Sequence, residues 1–85
     1  MSIRRTIIML EFEKELIITG AEQRLRKDGT SYTLLHIMGE NGVTFSSVFK
    51  GDVNKVMSLQ KMEKYNIKFE LILGQYTRLS VLEIH

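Results

Sequence analysis

Cysteine is absent from these 85 residues, and so is proline. Without thiols the chain has no disulfide, no thiol nucleophile and no thiolate metal site, and a reducing cytoplasm suits it. Without proline there is no stiff linker, and no repeat or low-complexity run divides the sequence. Long apolar runs are missing too. Ile7-Ile8-Met9-Leu10 stops at Glu11, far short of the ~20 apolar residues of a spanning helix. The opening Met1-Ser2-Ile3-Arg4-Arg5 carries no signal-peptide pattern, so a cytoplasmic protein is expected. Histidine is limited to His36 and His85, neither with a ligand-spaced partner, and no metal or other cofactor is expected. Phosphate-cradling loops and nucleophile elbows are absent as well. Glu11, Glu13 and Glu15 alternate, which reads as a solvated strand face rather than a paired-carboxylate site. An enzyme is therefore not expected.

What is present suits one small domain spanning residues 1–85. An apolar share of 44% argues for a folded chain. A domain this short buries a modest fraction of its surface, so oligomerisation is a natural way to bury more. The net charge of +2 conceals segregation along the chain. Acids gather near the start, whereas Arg24, Arg26 and Lys27 stand together with no acid among them.

Alternation and punctuation predict five strands and one helix. A first strand is expected from about Leu16 to Leu25, preceded by a shorter strand or arm in which Arg4, Thr6, Ile8, Leu10 and Phe12 share one parity. Gly20 within it suggests a bulge or bend. Lys27-Asp28-Gly29-Thr30 is a hairpin turn, followed by the strand "SYTLLHIMG", the turn "GENG" and the strand "VTFSSVF". Val53, Val56, Met57 and Gln60 then follow a helical period, predicting a helix from about Val53 to Lys64 capped by Asp52. "NIKFELILG" and "RLSVLEI" supply the last two strands, the latter with Leu79 and Val81 opposite in facing to Leu82 and Ile84. Phe12 and Phe69 are expected in the core, Tyr65 over the helix end, and the five methionines as core filler. The order β-β-β-α-β-β is that of the OB-fold, a five-stranded all-β barrel with one helix.

Binding chemistry is better supplied than catalytic chemistry. Single-stranded nucleic acid needs cations along its phosphates and flat faces for its bases. Arg24 and Arg26 share a parity, Lys27 stands at the turn, and Tyr32 and Leu34 share one face of the second strand. Tyr32 reads either as a stacking platform or as a tyrosine packed across the hairpin. His36 has the same parity and reads as a surface or half-buried strand residue. Tyr76 and Arg78 place an aromatic beside a cation at the last hairpin, and Phe49-Lys50 forms a third, weaker candidate.

The stretches "RKDGTSYTL" and "LGQYTRLSVLEI", with the barrel order between them, resemble the single-stranded-DNA-binding proteins of filamentous phages over about Gly20 to Ile84. That resemblance implies a small OB-fold that coats single strands as a symmetric dimer. It further implies a phosphate contact at Lys27, base stacking at Tyr32 beside Leu34, and at Tyr76 an aromatic reaching the strand bound by the partner subunit. Glu22 and Glu83 depart from it, standing where the family pattern has arginine. The expectation is a sequence-independent single-stranded DNA-binding protein of a phage, plasmid or other mobile element. The alternatives are a small barrel that docks a protein partner and an OB-fold that binds RNA.

Overall fold

One long strand organises the barrel by serving two neighbours in turn. The computed structural model describes residues 7–85, so the expectations for Met1 to Arg5, and for Arg4 and Thr6 as part of an alternating arm, lie outside the described residues. Strand β1 (Ile8–Leu25) is continuous, in place of the separate arm and strand that alternation predicts. Its first part pairs with β4 (Glu63–Leu73) from Ile8 to Ile18, and its second with β2 (Ser31–Met38) from Ile17 to Leu25. Both pairings are antiparallel. The register shifts between Ile18 and Gly20, leaving Thr19 as the extra residue beside the expected glycine. One extra residue reverses the alternation. Before it the even positions point inward, ending in buried Ile18; after it Ala21, though exposed, lies on the side of its partner Leu35, and Glu22 and Arg24 lie on the other.

Strand β2 then pairs with β3 (Thr44–Phe49), and β3 closes the ring by a short parallel pairing with β5 (Arg78–Ile84). The closed order β1-β2-β3-β5-β4 is the OB-fold arrangement that the element order predicts. Lys50 extends the closure through its amide, which donates to the Val81 carbonyl at 2.8 Å. Inside sit Leu35 and Ile37 from β2, Ile67 and Phe69 from β4, and Val81 and Ile84 from β5, with Ile18 and Phe49.

Strand pairing and burial overturn four expectations. The helix α1 covers only Val53–Met57, although Asp52 caps it as predicted, its carboxylate accepting from the Asn54 amide at 2.9 Å. Glu63, Lys64 and Tyr65 are claimed by β4, opposite Ile18, Ile17 and Leu16, and Met62 turns there through a left-handed conformation with φ of 67°. Pairing with distant β1 outweighs the local amphipathic period. Val56 and Leu59 still pack on the core, and the Tyr65 hydroxyl accepts from the Gln60 amide at 2.8 Å, over the helix end as expected. In β5, Glu83 pairs with Lys68 and Val81 with Phe69, so Leu82 is bulged and Val81 and Ile84 both turn inward. Phe12 is 42% exposed at the open end of the core, although it stacks on Phe69 with centroids 5.2 Å apart. Met9, Met57 and Met62 lie on the surface rather than filling the core.

The candidate nucleic-acid interface

The hairpin joining β1 to β2 is set by its turn residues. The Arg26 amide donates to the Thr30 carbonyl at 2.8 Å, and the Gly29 amide returns to the Arg26 carbonyl at 3.1 Å. Gly29 adopts φ of 90°, a left-handed conformation that costs glycine little and other residues more. The Asp28 carboxylate accepts from the amide and hydroxyl of Thr30 at 3.0 and 2.7 Å. Those bonds favour its charged form and hold its pKa below the ordinary range.

The rigid turn presents a small cationic and aromatic cluster. Arg24 pairs directly with Tyr32 across the ladder. The Arg26 guanidinium lies over the Tyr32 ring, 4.7 Å from its centroid. Such a cation–π contact is worth about 0.5–1 kcal/mol at an exposed site. Lys27 is exposed at the turn, and Leu34, half-buried, continues the outer face next to Tyr32. Arg24, Arg26, Lys27, Tyr32 and Leu34 are thus gathered on one surface.

The other predicted residues lie elsewhere. Phe49 is a core residue, only 7% exposed, and no base can stack on it. Its ring folds against Gly51, where a Cβ would come within 2.5 Å of Phe49 Cζ. The parity of β3 points Phe49 inward alongside Ser47, and the parallel pairing with Val81 seals it. Lys50 is on the outside, but its Nζ sits 2.8 Å from Glu70 Oε1, and that buried carboxylate neutralises it. Tyr76 is 72% exposed and Arg78 is exposed, both by the β4–β5 hairpin. That hairpin adjoins the Ile8 end of β1, whereas the Arg26 turn follows the Leu25 end.

Register adds residues that parity alone cannot find. Glu22 lies opposite Leu34 and Leu34 opposite Val48; Gly20 lies opposite His36 and His36 opposite Ser46. Arg24 Nη2 donates to Glu22 Oε1 at 2.8 Å, and His36 Nε2 lies 3.1 Å from the same oxygen. His36 Nδ1 is 2.9 Å from Ser46 Oγ. A carboxylate only accepts, so the imidazole donates from Nε2 and, when neutral, accepts the serine hydroxyl at Nδ1. The hydrogen bond from Arg24, then its charge and the hydrogen bond from His36, hold the Glu22 carboxyl below the usual carboxylate range against its partial burial. The alternation Tyr32-Leu34-His36 was the available signal for His36; its link to Glu22 required the register.

Comparison with protein-family models, with curated proteins and with solved structures returns no match to this chain. What the surface can do therefore rests on its own chemistry. Among the described residues no group of three or more histidines and carboxylates is placed to hold a metal ion. No helix there is long and apolar enough to cross a membrane. A cleft of about 320 Å³ opens beside α1, lined by Ile18, Ala21, Thr33, Val56 and Leu59, and Gly20 and Glu22 also border it.

Proposed function

We propose that this barrel binds single-stranded DNA along the outer face of β1, β2 and β3, acting as a cytoplasmic replication protein of a phage, plasmid or other mobile element. The carrying observation is the Arg26–Tyr32 stack with Arg24 on the same rung, on the surface that OB-folds commonly offer to oligonucleotides. Tyr32 and the guanidinium above it supply flat faces for bases, while Arg26, Lys27 and the part of the Arg24 guanidinium that Glu22 leaves free neutralise phosphates. Tyr76 and Arg78 extend the same chemistry to the second hairpin. Titration with oligo-dT at low salt is expected to give a complex whose affinity falls as salt rises. Three phosphate contacts correspond to a log–log slope of about −2. An absence of binding at low salt, or a salt-independent affinity, would sink this reading. Preferential capture of an RNA oligomer would redirect it to RNA.

The expected homodimer has a surface to support it. Among the described residues β2 pairs with β1 only from Ile17 onward, so the edge of Ile8–Leu16 turned away from β4 has no strand partner. Ile7, Ile8, Met9, Leu10 and Phe12 are exposed along that edge. An open edge with apolar side chains is a template for another strand. We propose that a second copy occupies it, antiparallel about a two-fold axis at Leu10. This register sets Phe12 opposite Ile8 and Glu11 opposite Met9. An axis at Phe12 would set Glu11 against Glu13, and directly opposed like charges are unfavourable. The absence of cysteine makes the test clean. Directly opposed strand residues have Cα atoms about 4.5–5.5 Å apart, within disulfide range. Leu10→Cys is expected to form a covalent dimer on mild oxidation and Glu13→Cys to remain uncrosslinked. Monomeric sedimentation together with no Leu10→Cys crosslink would refute the dimer.

A further inference from the structure

Glu22 occupies the middle of the proposed interface, yet a carboxylate weakens any track of phosphates. Its rung lies between the Arg24–Tyr32 rung and the Gly20–His36 rung. Successive rungs on one face are about 6.6–6.8 Å apart along a strand. A base stacked on Tyr32 or on Arg26, with its edge turned along β1, therefore reaches the Glu22 carboxylate.

The carboxylate is oriented and half-committed. Oε1 receives Arg24 and lies beside His36, whereas among the described residues Oε2 has no hydrogen-bond partner. The side chain is 40% exposed. Gly20 adds no side chain to the neighbouring rung, where a Cβ would meet only His36 Cδ2, at 3.9 Å. The floor beside Glu22 is thus open to a flat ring.

We propose that Glu22 reads base edges, accepting a hydrogen bond from the exocyclic amino group of cytosine, adenine or guanine and disfavouring thymine and uracil. The inference rests on the reading of this face as a single-strand interface. A carboxylate has no donor to offer, so its free oxygen can pair only with a base that brings one. Cytosine presents the N4 amino group, a recognised partner of acidic side chains. Thymine puts carbonyl oxygens on both sides of its single N–H, and a carboxylate repels them. The hydrogen bond and charge of Arg24 favour the ionised form of Glu22, which preserves its acceptor character into mildly acidic solution. The interface is then tolerant of sequence through stacking and biased through one acceptor.

The test compares labelled oligo-dC with oligo-dT of equal length by fluorescence anisotropy, at one low salt concentration and near-neutral pH. Both are pyrimidines, so ring size is matched and the exocyclic group is the variable. The unsubstituted protein is expected to bind oligo-dC about fivefold or more tighter. In Glu22→Gln the preference is expected to shrink below about twofold, because the amide can also donate to a thymine carbonyl. Both affinities should rise as a negative charge leaves the track. Glu22→Ala removes the acceptor outright and should likewise lose the preference. Equal affinity of the unsubstituted protein for the two oligomers would overturn the role of Glu22 while leaving the interface standing. A preference undiminished in both variants would do the same. Failure of both oligomers to bind would refute the interface itself.

Discussion

Phe69→Ala is expected to destabilise the domain by about 3–5 kcal/mol, the usual loss for an aromatic removed from a core. Phe69 is 1% exposed at the centre of β4. Its ring stacks on Phe12 of β1 and meets Phe45 of β3 with centroids 6.3 Å apart. One side chain thus ties strands from both sides of the barrel. Phe12 and Phe45 are only partly buried and would not collapse into the vacancy without pulling their strands inward. A small domain holds a margin of about 5–15 kcal/mol at best, so the loss is a large fraction of the whole. Urea denaturation followed by circular dichroism measures it. A loss under about 1 kcal/mol would mean that the ring is not a central packing element.

Tyr32→Ala is expected to weaken binding to single-stranded DNA about tenfold or more, since one base-stacking aromatic contributes about 1–3 kcal/mol. The thermal midpoint should move little. Tyr32 is half-buried on the outer face, and the core side of β2 is filled by Leu35 and Ile37. Arg26 loses its platform in the same variant, so Arg26→Ala added to Tyr32→Ala should cost less than the two single losses together. Anisotropy titration and a melt on the same samples separate the two effects. A collapse of the melt with no specific loss of binding would make Tyr32 a packing residue.

Within a strand, facing is a local property. Alternation in "SYTLLHIM" sorted Leu35 and Ile37 from Tyr32, Leu34 and His36, and burial follows that division. Asp28-Gly29 announced its turn because glycine readily adopts the left-handed dihedrals there. The barrel order followed from the count and sequence of elements. Errors arose where an extra residue entered a strand or a distant strand competed for a segment. The bulge at Leu82 brought Val81 and Ile84 to one side, although plain alternation separates them. Residues 63–65 carried no local sign that β1 would pair with them.

The candidate site divides along the same line. Arg24, Arg26, Lys27, Tyr32 and Leu34 were legible because they sit within a few residues of one turn, where chain connectivity alone keeps them close. Phe49 was misplaced, and the Glu70 partner of Lys50 was missed, because their surroundings come from β5 and β4, twenty residues from Lys50 for Glu70 and more than thirty from Phe49 for Val81. Glu22, His36 and Ser46 were invisible as a group, since each comes from a different strand and only cross-strand register aligns them. The amino-acid sequence by itself determined the turns, the alternation and the cationic hairpin, all properties of neighbours along the chain. Only the tertiary structure decided which cations stay free, which aromatic is buried and where Glu22 points. Those depend on backbone pairing between remote segments, whose register and bulges are settled by the packing of the whole barrel.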